Sequence, residues 1–192
     1  ISWGDIEKPS DMYQGGNSHV IGVIKIAEEM ILLLDFEKII VDINPESGIH
    51  AGQIKQLGQR ERSAKRIVAA EDSPLLRKLI SDTLAEAGYE NVEFFENGQL
   101  ALDYLESIAN DDGPIEDKVQ LVITDIEMPQ MDGHHLTRRI KEHPALKKLP
   151  VVIFSSLITE DLKHKGREVG ADEQVSKPEI AQLVLRIDRL IL

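Results

Sequence analysis

Leu121-Val122-Ile123-Thr124-Asp125-Ile126-Glu127-Met128-Pro129 decides the fold of this chain. Residues 119–124 form a near-continuous apolar run, the signature of a strand covered by helices on both faces, and the run stops at a carboxylate. Residues 151–154, Val-Val-Ile-Phe, repeat the pattern and stop at Ser155-Ser156.

Working outward, residues 66–192 repeat one unit five times: a short apolar run, a loop, then a helical pattern. Ile67-Val68-Ala69-Ala70 is the first run. Ser73 follows as an N-cap and Pro74 as the first helical residue, with an apolar stripe through Leu75, Leu76, Leu79, Ile80 and Leu84 that Gly88 ends. Residues 92–95 are the second strand, and residues 100–108 a helix facing inward through Leu102, Leu105 and Ile108. A fifth strand at Glu173–Ser176 precedes a helix over residues 179–191. Strands alternating with helices at this spacing imply an α/β domain with a parallel, doubly wound sheet and right-handed crossovers. Five units predict the flavodoxin-like order 2-1-3-4-5, with a ligand crevice at the carboxyl ends of the strands beside the switch point.

The residues at those ends are the candidate site. The first strand runs into Glu71-Asp72, the third into Asp125, the fourth into Ser155 and the fifth into Lys177. Three carboxylates on one rim repel one another unless a cation lies between them. A hard divalent ion such as Mg²⁺ suits oxygen ligands; the strand ends carry neither Cys nor His, which disfavours a softer metal. Lys177 supplies a point positive charge and Ser155 a hydroxyl donor to an anion that joins the metal.

Taken together, Glu71-Asp72, residues 121–129 with Met131-Asp132-Gly133, Ser155 and Lys177-Pro178 resemble a response-regulator receiver domain over nearly all of residues 66–192. The resemblance implies that Asp125 is the phosphoacceptor for a phosphohistidine kinase. It also implies that Glu71, Asp72, Asp125 and the backbone carbonyl of Glu127 hold Mg²⁺, and that Lys177 and Ser155 contact the phosphoryl oxygens. Such a protein is a signalling switch rather than an enzyme in its own right. Two positions depart from the family pattern. Gln174 stands where most receivers place an aromatic residue three positions before the lysine, and Glu71 stands where many have Asp.

Residues 1–47 carry a separate signal. Val20–Ile26 and residues 30–34 are strand-like runs joined by Ala27-Glu28-Glu29, a hairpin pattern, and Asp35 can cap a short helix through Ile43. Ile1-Ser2-Trp3, the hairpin and residues 34–39 resemble the last part of a CheW-like coupling domain; followed by a receiver, this resembles chemotaxis coupling proteins of the CheV type. The expected organisation is a β-rich CheW-like fragment over 1–47, a linker or exposed helix over 48–65, and the receiver over 66–192. The start at Ile1 rather than Met leads us to expect that the chain begins inside a longer protein. The expected partners are the chemotaxis histidine kinase and, through the CheW-like part, chemoreceptors.

Composition narrows the classes further. Of 192 residues, 34 are Asp or Glu and 22 are Lys or Arg, and this net charge of -12 repels nucleic acid and anionic lipid. Residues 66–192 carry -9 of it. The absence of Cys excludes disulfides, thiol chemistry and Cys-ligated metals. No apolar run reaches the roughly 20 residues of a membrane helix, and no signal segment opens the chain, so a cytoplasmic location without membrane insertion is expected. His134-His135 is no metal pair, because adjacent helical residues do not share a face. A haloacid-dehalogenase-type phosphatase would place a second Asp where Glu127 stands, and a nucleotide enzyme would need a glycine-rich loop in place of Glu71-Asp72-Ser73-Pro74. The alternative to a phosphorylated adaptor is a structural adaptor whose receiver fold takes no phosphate, and Gln174 leaves room for it. The acidic loop at residues 111–117 has no readable role.

Overall fold

A computed structural model of the chain describes residues 6–7, 20–26, 29–34, 62–111, 113–156, 158–177 and 179–192. The chain divides into two compact units, Ile1–Gly48 and Ile49–Leu192.

In the first unit, β1 (Ile6–Glu7), β2 (Val20–Ile26) and β3 (Glu29–Leu34) form an antiparallel sheet in that order. The expected hairpin is present, with Val23 opposite Leu32 and Ile26 opposite Glu29. Glu29 therefore belongs to the strand rather than to the turn. β1 was not expected, since two residues cannot display an alternating pattern. The helix expected after Asp35 and nearly all of the 48–65 segment lie outside the described residues.

The second unit is a five-stranded parallel sheet made of β4 (Ser63–Ala70), β5 (Tyr89–Phe95), β6 (Leu121–Thr124), β7 (Val151–Ser155) and β8 (Glu173–Ser176). The spatial order is β5-β4-β6-β7-β8, the 2-1-3-4-5 arrangement expected from the sequence. The connecting helices are α1 (Pro74–Glu86), α2 (Gly98–Ala109), α3 (Gly133–Glu142), α4 (Glu160–Glu168) and α5 (Ile180–Ile191). A strand alternates its side chains between two faces, and here both faces are covered. Ile67, Ala69, Ile123, Val152 and Phe154 pack with Ile80 and Leu84 of α1 and Leu183, Val184 and Ile187 of α5. Val68, Ala70, Val122 and Val151 pack with Leu102 and Leu105 of α2 and Leu136 and Ile140 of α3. Each Val, Leu, Ile or Phe among them contributes about 1.5–3 kcal/mol through burial.

Several boundaries lie beyond the apolar runs. β4 starts at Ser63 because its first half is paired to β5 yet partly solvated, so it lacks the run of four buried residues that marks its second half. β5 starts at Tyr89, whose ring is buried and whose hydroxyl donates to Asp188 Oδ1 at 2.7 Å. α2 starts at Gly98, capped by Asn97, whose side chain accepts from Leu100 N at 2.9 Å. α1 is capped as expected by Ser73, with Pro74 leading and Gly88 beyond its end at φ +91°. Within the acidic loop a short 3-10 turn, Ile115–Asp117, buries Ile115. α4 differs from its neighbours, for Gly166 is its one buried residue.

Candidate functional site

Parallel pairing brings four strand ends to one edge. Ala70 is opposite Thr124, Thr124 is opposite Ile153, and Ser155 is opposite Ser176. The residues that follow these pairs, or close them, are Glu71, Asp125, Ser155 and Lys177. Asp125 N donates to Ala70 O at 2.9 Å, and Lys177 N to Ser155 O at 3.0 Å, so the backbone ladder fixes where each side chain starts.

At the centre stands the Lys177 ammonium. Its Nζ lies 2.7 Å from Glu71 Oε2 and 2.9 Å from Asp125 Oδ2, and all three side chains are at most 10% exposed. The same ammonium stands 5.9 Å from the centre of the Phe154 ring. Asp125 Oδ1 accepts from Ile126 N at 2.6 Å, while Thr124 Oγ1 donates to the Asp125 carbonyl at 2.9 Å. Glu71 Oε1 accepts from Ser73 N at 3.2 Å. Burial nevertheless raises the Glu71 pKa; the hydrogen bond and charge of Lys177 oppose that rise, and the Asp125 charge adds to it.

Asp72 completes the acidic group and is exposed. Glu71, Asp72 and Asp125 each offer one carboxylate oxygen, all within 4.8 Å of one another. Three carboxylates face one ammonium, an imbalance that a hard divalent cation with oxygen ligands would remove. The donor set therefore fits Mg²⁺. Glu127, whose backbone carbonyl was the fourth expected ligand, lines an open cleft of about 490 Å³ together with Asp72, Met128, Asp132, His134 and Lys165. Ser155 is buried at the end of β7, on the same edge.

One residue of this region, Arg77, carried no sequence signal. Arg77 of α1 reaches back so that Nη1 donates to the carbonyls of Glu71 and Asp72 at 2.8 and 3.0 Å. Gly133, quoted above within the motif that resembles a receiver, leaves no room for a side chain beneath the Asp125 backbone. Gln174 is turned toward α4: its Nε2 donates to Lys163 O at 2.9 Å, and its buried Oε1 has no hydrogen-bond partner. A separate cavity of about 390 Å³, lined by Arg66, Glu90, Glu93 and Tyr104 among others, lies along β4 and β5 and contains none of the strand-end residues. Among the described residues no helix is long and apolar enough to cross a membrane.

Comparison with known proteins agrees with this geometry. Residues 67–188 match the response regulator receiver domain family. Chemotaxis protein CheV1 of Helicobacter pylori is 24% identical over 177 residues, covering 91% of this chain and 54% of that protein. Chemotaxis protein CheV3 of the same organism is 26% identical over 197 residues, covering 100% of this chain and 61% of that protein. The chain thus spans little more than half the length of these relatives. The solved structure of chemotaxis protein CheY4 of Vibrio cholerae superposes with a TM-score of 0.56 at 26% identity, covering 67% of this chain and 99% of that one.

Proposed function

Since the chain belongs to the response regulator receiver family, we propose that it is a chemotaxis adaptor that accepts a phosphoryl group on Asp125. The observation that carries this reading is the buried ammonium of Lys177, held 2.7 Å from Glu71 Oε2 and 2.9 Å from Asp125 Oδ2 with Asp72 alongside. Phosphoryl transfer asks a protein mainly for positioning and charge neutralisation, and this edge of the sheet offers both.

In the proposed reaction a carboxylate oxygen of Asp125 forms a bond to phosphorus as the phosphorus–nitrogen bond of a kinase phosphohistidine breaks. The bonding pair leaves with the imidazole, and the product on this chain is an acyl phosphate. Ile126 N orients the Asp125 carboxylate through Oδ1, and Lys177 follows the negative charge onto the phosphoryl oxygens. Ser155 supplies a hydroxyl donor from the end of β7. Glu71, Asp72, Asp125 and the Glu127 carbonyl would hold Mg²⁺, which supplies charge neutralisation to those oxygens when bound. The chain is a phosphoryl acceptor and relay rather than an enzyme with a substrate of its own.

Residues 1–47, as the end of a CheW-like coupling domain, would join the histidine kinase to chemoreceptors in the cytoplasm. Two relatives named as CheV-type chemotaxis proteins, matched over 91% and 100% of this chain, support that reading. A second reading, a structural adaptor that takes no phosphate, draws on Gln174, whose hydrogen bond to Lys163 O occupies the place of the usual aromatic residue.

One experiment separates the two. The chain is mixed with acetyl phosphate or phosphorylated kinase, with and without Mg²⁺, and the expected result is a Mg²⁺-dependent, hydroxylamine-sensitive mass gain at Asp125. No gain in the wild type, or an undiminished gain in Asp125→Ala, overturns the phosphoacceptor. Coupling is tested by co-sedimentation with receptor and kinase, which removal of residues 1–47 should reduce.

A further inference from the structure

The groove between α3 and α4 is a cationic exception on an acidic protein. Asp132, His134, His135, Arg138, Lys165 and Val169 line it, around a volume of about 250 Å³. Acids outnumber Lys and Arg by 34 to 22 along the chain, and most neighbouring basic side chains face a carboxylate, Arg167 excepted. Arg139 bonds to Glu106, Lys141 to Asp172, Lys163 to Glu160, and His164 lies 3.4 Å from Glu168. Arg138 and Lys165 form no ion pair among the described residues. The one carboxylate in the lining, Asp132, is engaged as the N-cap of α3, where it accepts from His135 N at 2.8 Å.

His134 is the second, independent observation. It is 2% exposed, it lines both this groove and the adjoining cleft, and neither ring nitrogen has a hydrogen bond of ordinary geometry. A buried imidazole that meets the Leu162 backbone without a hydrogen bond of ordinary geometry costs stability, and a well-placed acceptor oxygen would relieve that cost. A carboxylate or phosphate oxygen would satisfy all three needs: an N–H from the neutral imidazole, and the two unpaired cations.

From this arrangement we infer that the α3–α4 groove binds a compact oxyanion, at a site separate from the Asp125 edge. Its walls suit planar or tetrahedral oxyanions, whose oxygens accept hydrogen bonds. Arg138 offers a guanidinium fork, Lys165 a point charge, and the buried His134 a directional donor. Asp72 and Glu127, on the neighbouring cleft, keep the anion at the Arg138 end.

The test follows the His134 ring resonances of the intact chain by NMR, with divalent ions chelated and ionic strength held constant with chloride. Inorganic phosphate is titrated in one arm and N-acetyl-glutamate amide in the other. The expected result is a saturable shift of the His134 signals. Tighter binding of phosphate identifies a free inorganic oxyanion, and tighter binding of the capped glutamate identifies a side-chain carboxylate of a partner. In Arg138→Gln/Lys165→Gln, whose exposed positions leave the core intact, affinity should fall at least about tenfold, the effect of losing one charge-assisted bond. His134→Gln, which keeps a donor, should retain binding, followed there through the His135 signals. No saturable shift with either probe, or equal affinity in the double variant, overturns the site.

Discussion

Gly133 stands so close beneath Asp125 that a Cβ built on it would lie 1.8 Å from the Asp125 carbonyl oxygen and 2.8 Å from the carbonyl carbon. The contact is backbone on backbone, so no rotamer change can relieve it. It lets Gly133 N donate to Ile126 O at 3.0 Å and starts α3 directly under the phosphoacceptor candidate. Space, rather than a left-handed φ, is what requires glycine here.

Gly133→Ala should therefore destabilise the second unit by at least about 2 kcal/mol, because overpacking against a fixed backbone outweighs the roughly 1 kcal/mol gain in helix propensity. Urea denaturation measures the loss. A variant as stable as wild type would show that the α3 start shifts freely.

Lys177 is buried between two carboxylates, and removing one partner of a buried ion pair leaves uncompensated charge. In Lys177→Met we expect a loss of about 3 kcal/mol at pH 7.5 in metal-free buffer. Added Mg²⁺ should narrow the deficit, since the same oxygens would then face a divalent cation. Thermal melts of both proteins with and without Mg²⁺ check this, and an unchanged melting temperature would count against a buried charge cluster.

His134 gives a pH signature. Burial lowers its pKa from the ordinary 6.5, with Lys165 adding to the shift, while Asp132 and the Leu162 backbone pull the other way. The folded state thus takes up this proton less readily than the unfolded chain. The stabilising contribution is complete above pH 6.5 and is lost as pH falls through the lowered folded value. Stability of wild type minus His134→Gln, followed by urea denaturation from pH 8 to pH 5, should decline on the acid side. A flat difference would mean that the imidazole titrates as it does in water.

Gly166 and Gln174 share one space. A Cβ on Gly166 would lie 2.2 Å from Gln174 Oε1 and 2.7 Å from Nε2, the movable end of a flexible side chain. Gly166→Ala should expel the Gln174 amide and break its bond to Lys163 O. The lost hydrogen bond, about 1 kcal/mol, roughly offsets the gain in helix propensity, so stability should change by less than about 1 kcal/mol. The diagnostic is the Gln174 side-chain amide resonance, which should move to a solvent-exposed position. If it stays, α4 itself has shifted.

Much of the fold was legible because its signals are local. The run at residues 119–124, the matching run at 151–154 and the Ser73-Pro74 start of α1 depend on neighbours a few residues away; the second and third are found in place, and the first gives a strand over its last four residues. The order of the sheet followed from counting βα units. The first half of β4 was not legible because a half-solvated strand carries no apolar run, and β1 was not because it is two residues long.

For the site, the sequence by itself determined which residues lie along one edge of the sheet, since the carboxyl ends of parallel strands share it: Glu71, Asp72, Asp125, Ser155 and Lys177. Only the tertiary structure decided how they meet. Lys177 bonds to acids 106 and 52 residues earlier in the chain, Arg77 holds the carbonyls of Glu71 and Asp72, and Gly133 is pressed beneath Asp125. The burial of His134 beside two unpaired cations is of the same kind. These contacts depend on strand register and on how helices settle against the sheet. Those are set by packing over the whole domain, and no short window of sequence records them.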